Sequence, residues 1–350
     1  MNVRLIVLLC ISVFLFSCSS RDDDASGDLA IECLNLGAQD LSLSIQESFT
    51  TLPSKVSVFF KVNDNQGGPV AGLNTSNFRI LEKGQNDDCF NEISSFESSA
   101  SISSDAQIFV TTTFLVLDLS NSVLATTLPE VKTAANSFID SVMPAVPQES
   151  FQMGIYWFNG EDVLHELQSP ISNAALLQDA INGITTEISN DPSTDLYGAV
   201  IKASQLAETT IVSFQAQDIF ATSAVVLFTD GTDQAARFTE EEAISSITNA
   251  DENISFFTIG LGAEIDEAIL TTIGSEGNAF AEDSDQLITV FNEISNSVAG
   301  QANSFYFFEY CSPKRDGSGI NELIIQAIVD EQSGIASTMF DANGFTGGCN

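Results

Sequence analysis

FLVLDLSNSV, residues 114 to 123, is a run of large apolar side chains that stops at one aspartate, Asp118, followed by alternating hydroxyls at Ser120 and Ser122. An unbroken apolar strand belongs in a sheet covered on both faces, and the residues just past its carboxyl end lie where open α/β sheets bind ligands. A second stretch, VVLFTDGTD, repeats the arrangement and ends in Asp230. Between them, Thr194 stands in a Pro-Ser-Thr-Asp loop before a helical segment. Three loops therefore bring hard oxygen donors to one edge, a set that suits a small divalent cation, Mg2+ first and Mn2+ or Ca2+ as alternatives.

The pattern around these residues alternates strands and helices. Thr112 to Leu117 reads as a buried strand, and Leu128 to Val142 as an amphipathic helix with Val131, Ala134, Ala135, Phe138 and Val142 at helical spacing. Gln152 to Phe158 and Val163 to Leu167 flank Asn159-Gly160 and read as a hairpin that supplies an antiparallel edge strand. Helices are expected near 173 to 183, 196 to 213, 239 to 248, 264 to 273 and 285 to 298, with further strands at Ala224 to Phe228 and ISFFTIGL. Residues 110 to 300 thus form a doubly wound, mostly parallel α/β sheet.

The flanks are different. SKVSVFFKVNDNQGGPVAGL alternates Val56, Val58, Phe60 and Val62 on one face and then meets a turn, a hairpin signature, and residues 33 to 109 read as a β-rich module. SFYFFEYC, NELIIQAIVDE and IASTMFDANGF, within residues 301 to 350, are strand-like and are expected to pack with that module as a β-sandwich. The aromatic cluster from Phe305 to Tyr310 reads as core.

Asp118, Ser120 and Ser122 as D-x-S-x-S, Thr194, and Asp230 in T-D-G together resemble the metal-ion-dependent adhesion site (MIDAS) of von Willebrand factor type A (vWA) domains. The resemblance covers about residues 110 to 300, and the flanking β segments resemble the β domain that accompanies such modules in bacterial secreted proteins. It implies a Rossmann-like fold, metal contacts from the serines and threonine, aspartates acting directly or through water, and an ion completed by a carboxylate of a protein partner. The function implied is binding, with a noncatalytic structural or assembly role as the alternative.

Residues 1 to 17 read as a signal peptide, with an apolar stretch from Leu5 to Phe16 too short for a comfortable membrane span. Leu15-Phe16-Ser17-Cys18 resembles the lipobox of bacterial lipoproteins, which makes Cys18 the lipidated residue, and the acidic residues 18 to 32 read as a solvated tether. Membrane attachment would run through that lipid alone. The expected location is the bacterial envelope, at the outer membrane and its surface. Four further cysteines, Cys33, Cys89, Cys311 and Cys349, suggest two disulfides in an oxidising compartment, with three pairings open.

With 48 acidic against 11 basic residues and a net charge of -37, the chain repels phosphate backbones, which argues against nucleic acid as a partner. The same charge opposes an acidic partner at long range, although screening within about 8 Å limits the penalty. Enzyme readings find little support. Ser120 occupies the place where a haloacid-dehalogenase phosphatase needs a second aspartate, and the only histidine, His165, reads as a surface residue of the edge strand. Gly260-Leu-Gly262 reads as a turn, as does Asn63-Asp64-Asn65.

Overall fold

A computed structural model describes residues 38–94, 99–103, 109–314 and 319–346, together with Leu34, Leu36 and Gly348. Cys18, Cys33 and Cys349, with the expected signal peptide and tether, lie outside the described residues. Cys89 and Cys311 are disulfide-bonded.

The described strands begin with β1 (Leu41–Thr51), β2 (Lys55–Asp64), β3 (Phe78–Lys83), β4 (Asn91–Ile93) and β5 (Ser101–Ser103). The α/β region runs through β6 (Phe109–Asp118), α1 (Asn121–Thr126), α2 (Leu128–Val142), β7 (Phe151–Phe158), β8 (His165–Ile171), α3 (Ala174–Gly183) and α4 (Leu196–Gln215). It continues with β9 (Phe220–Thr229), α5 (Glu240–Thr248), β10 (Ile254–Leu261), α6 (Glu267–Ile273), β11 (Gly277–Ala281) and α7 (Leu287–Asn303). Strands β12 (Phe305–Cys311), β13 (Ile320–Val329) and β14 (Gln332–Asp341) follow.

Every residue of β6 is buried, because the strand sits inside a six-stranded sheet ordered β11-β10-β9-β6-β7-β8. All neighbours in this sheet are parallel except the edge pair β7 and β8. Side chains alternate between its faces. Leu115, Leu117, Val226 and Phe228 pack under α2, α3 and α7, and Phe114, Val116, Val225 and Leu227 pack under α4, α5 and α6. Helix α2 buries the expected stripe and carries proline in its first turn, where a missing N–H costs nothing. Helix α5 is fixed by a capping box in which Thr239 and Glu242 satisfy each other's backbone N–H. The mixed α/β architecture is therefore the expected one.

The flanking strands form two antiparallel sheets, β1-β2-β12-β5 and β14-β13-β3-β4, around a shared core that includes Val56, Val58, Phe60, Val62, Phe308 and Leu323. Strand β2 is buried on both faces. Its other face carries Phe59, whose ring lies 4.6 Å from Phe220 and 5.1 Å from Phe109, the first residues of β9 and β6. Sandwich and central sheet thus join at the amino ends of the parallel strands, which leaves the carboxyl ends on the far edge.

Several readings change. His165 is half-buried and stacks on Trp157 at 4.0 Å, because the antiparallel register places the two opposite each other, so it is not a plain surface residue. The edge strand starts at His165 rather than Val163. Asn159 both opens the turn, accepting from Glu161 N at 2.8 Å through Oδ1, and ties it to a neighbouring loop, donating through Nδ2 to Ser189 Oγ at 2.9 Å. The turn after β2 returns only as far as a single bridge, Asn63 to Pro69, and β2 pairs instead with β1 and β12. Gly260 lies within β10, where a Cβ would press on Leu270 and Phe280, and Gly262 makes the turn with φ +82. The Asn63-Asp64-Asn65 segment is a turn, with Asp64 Oδ1 accepting from the N–H groups of Gln66 and Gly68.

Candidate metal site

Strands β6 and β9 lie side by side with Leu117 opposite Phe228, so Asp118 and the Thr229-Asp230 pair leave the sheet at the same level. The chain departs from them towards opposite sides of the sheet order, which opens a crevice between two strand ends. Backbone hydrogen bonds gather the loops there. Leu119 N donates to Phe158 O at 2.9 Å, Asn121 N to Asp191 O at 2.9 Å, and Asp195 N to Asn159 O at 2.9 Å. Thr194 O accepts from Gln234 N and Ala235 N at 2.8 and 3.2 Å, which ties its loop to the segment after β9.

The five residues picked out in the sequence converge. Thr194 Oγ1 donates to Asp118 Oδ2 at 3.4 Å, Ser122 Oγ donates to Asp230 Oδ1 at 3.2 Å, and the hydroxyls of Ser120 and Ser122 are 3.0 Å apart. Ser120 occupies the N-cap position of α1, yet its side chain makes no capping bond and its hydroxyl is directed into this cluster. Thr229, which sequence reasoning did not select, donates through Oγ1 to Asp118 Oδ2 at 2.7 Å. The backbone N–H of Ser120 donates to the other oxygen at 2.9 Å.

Burial, followed by the negative charge of Asp230, pushes the Asp118 carboxyl up to about 6, against the opposing hydrogen bonds from Thr229 and Ser120. Burial likewise raises Asp230, with Glu264 adding to the rise and the Ser122 hydrogen bond opposing it. Among the described residues no Lys, Arg or His forms an ion pair with either carboxylate. Two like charges thus share a buried corner lined by hydroxyls. That donor set fits a hard divalent cation, with the hydroxyls and water supplying what two carboxylates leave open, since no cluster of three His, Cys, Asp or Glu suited to a metal occurs among the described residues.

The family model of the von Willebrand factor type A domain matches residues 114–293, which are 180 of the 350 residues. The chain belongs to that family. Solved structures similar to this chain are found at low identity. The proximal thread matrix protein 1 of the mussel byssus, in a structure with a zinc-occupied MIDAS motif, is 18% identical with a TM-score of 0.42 over 61% of this chain and 49% of its own. The present chain thus spans about half the length of that relative. A vWA protein from Catenulispora acidiphila is 11% identical with a TM-score of 0.46, over 88% of this chain and 74% of its own. The manganese-loaded TRAP protein of Plasmodium vivax is 13% identical with a TM-score of 0.42, over 72% of this chain and 100% of its own. No curated protein matches by sequence.

Beside Thr194, the vWA domain buries a further carboxylate, Asp195. Two of the three bases between residues 110 and 300, Lys202 and Arg237, approach Asp195 Oδ2 at 3.5 Å each, and Lys202 also reaches Asp162 Oδ1 at 2.6 Å. These bridges bind the loops bearing Asp162, Thr194 and Arg237 to one another. The scarcity of bases in this stretch was the sequence signal that could have found them.

Proposed function

We propose that this chain is a noncatalytic binding protein of the bacterial envelope whose vWA domain holds a divalent cation, Mg2+ first, between Asp118, Ser120, Ser122, Thr194 and Asp230. The observation that carries the reading is the Asp118 and Asp230 pair, partly to wholly buried, hydroxyl-lined and without a basic counter-charge among the described residues. A bound cation supplies that counter-charge and an electrophilic position for an outside ligand. With hydroxyls making up much of the set, the ion keeps enough positive charge to attract a carboxylate of a protein partner. Lipid at Cys18 would tether the chain to the outer membrane and present the site outward. Disulfides drawn from Cys33, Cys89, Cys311 and Cys349 would brace the β module that carries it.

The deciding experiment is a melting curve of the protein in chelator and then in Mg2+, Mn2+ and Ca2+, beside Asp118→Ala. Metal at a hundred times its dissociation constant adds about 2.7 kcal/mol. A stabilisation present in the native protein and absent in the variant supports the site, and equal curves in all conditions overturn it. Surface display is tested separately by protease on intact cells, which should cleave the chain, and lipid attachment by loss of membrane attachment in Cys18→Ala.

The burial of Asp118 favours a second reading, in which the ion only relieves buried charge and the protein is a structural or assembly component. Thr194→Ala separates the two. Adhesion predicts a chelator-reversible binding of a carboxylate-bearing partner that Thr194→Ala loses, whereas a structural role predicts a melting temperature lowered in Mg2+ by Thr194→Ala with no chelator-reversible partner binding in either protein.

A further inference from the structure

Asp195 stands at the N-cap position of α4, where a carboxylate ordinarily accepts from the first free N–H groups of the helix, yet its side chain makes no capping bond. Asp233, on the segment after β9, takes that place by accepting from Tyr197 N at 3.2 Å. The Asp195 carboxylate turns instead to Lys202 and Arg237, each 3.5 Å from Oδ2, and its Oδ1 is buried with no hydrogen-bond partner among the described residues. A carboxylate so buried and only half satisfied is costly, and helix stability does not account for it. Its contacts do account for the placement of Thr194. Two closed rings of contacts pass through Asp195. In one, Arg237 belongs to the segment whose Gln234 and Ala235 N–H groups hold Thr194 O at 2.8 and 3.2 Å. In the other, Lys202 holds Asp162 Oδ1 at 2.6 Å, in the turn whose Asn159 O accepts from Asp195 N at 2.9 Å.

We propose that Asp195 is a positioning residue, whose buried carboxylate fixes Thr194 at the metal edge and so sets the affinity for the cation. The inference rests on the metal reading of that edge. The carbonyl of Thr194 and the N–H of Asp195 are the two ends of one planar peptide group, and each ring grips one end. Thr194 Oγ1 lies 3.4 Å from Asp118 Oδ2, so a small tilt of that plane takes the hydroxyl out of the donor set. Gly198 belongs to the same arrangement, because a Cβ there would collide with the Asp195 carboxylate.

The test titrates the full chain in detergent with Mg2+ by calorimetry and records its melting temperature in chelator. Asp195→Ala, and Gly198→Ala, whose Cβ displaces the carboxylate without changing any charge, should each bind Mg2+ about 10–100-fold more weakly. Arg237→Met, which opens one ring only, should weaken binding by a smaller factor, and Arg237→Lys should recover most of the loss. Removing a positive charge near the ion would by itself tighten Mg2+ binding, so the direction of the Arg237→Met change separates positioning from through-space attraction. Either Gly198→Ala or Arg237→Met binding Mg2+ as tightly as the native protein, or more tightly, overturns the proposal. A lower melting temperature in chelator with that affinity unchanged assigns the network to stability alone and overturns it equally. A native protein that takes up no Mg2+ overturns the metal reading, and this inference with it.

Discussion

Thr229 Oγ1 donates to Asp118 Oδ2 at 2.7 Å, the shortest of the side-chain bonds to that carboxylate, although the two are 111 positions apart in the chain. The bond is a product of the β6 and β9 register and fixes the orientation of the buried carboxylate. Thr229→Val, which keeps the shape and removes the hydroxyl, should weaken Mg2+ binding about 10–100-fold, and Thr229→Ser should restore most of it. Calorimetric titration of the three proteins checks this, and equal affinities would remove Thr229 from the site.

Asp118→Asn tests the electrostatics from the other direction. The native protein without metal carries two buried like charges, and the amide removes one of them. In chelator the variant should melt no lower than the native protein, and it should gain nothing from Mg2+. A variant that melts well below the native protein in chelator would mean that the hydrogen bonds from Thr229 and Ser120 outweigh the repulsion.

Phe59→Ala should separate the two halves of the molecule energetically. Its ring lies among Phe109, Phe220 and Phe305, where sandwich meets sheet. Removing a buried ring of this kind costs about 3–5 kcal/mol. Because the metal edge is remote from it, the variant should unfold in two transitions by calorimetry while only one responds to Mg2+. A single transition shifted as a unit would show that the halves remain coupled.

Much of this was legible in the chain. Unbroken apolar runs such as Phe114 to Leu117 declare a doubly covered sheet, and D-x-S-x-S places its oxygens by local geometry alone. What depends on partners distant in sequence was not legible. Strand β12 lies between β2 and β5, a pairing no periodicity announces, and GNAFA in β11 is too short and too weakly apolar to stand out. Thr229 looked like an ordinary strand residue because its role exists only once β6 is beside it. His165 looked exposed because its cover is Trp157 on the facing strand.

A pH dependence should arise from the sandwich. Glu82 is wholly buried, and burial raises its carboxyl above the ordinary range, with the hydroxyls of Ser312 and Tyr310 and the charge of Lys314 opposing the rise and Asp87 adding to it. The proton is therefore held more tightly in the folded state than in the unfolded one. Stability from this group is present below the ordinary carboxylate range and is lost as pH rises through the raised folded value. Glu82→Gln should flatten that part of the urea-midpoint profile and leave the variant at least as stable as the native protein at neutral pH. An unchanged profile would assign the dependence elsewhere.

The interleaving of β12 between β2 and β5 also sets an order of events during synthesis. Strands β1 to β5 leave the ribosome first, but the middle of their sheet is encoded after the entire α/β region. The α/β unit contains its own six-stranded sheet and helices, so it can settle while the earlier strands still wait for theirs. The sandwich, first to emerge, is then last to close, and its exposed apolar strands are the part of the nascent chain most in need of a holding chaperone.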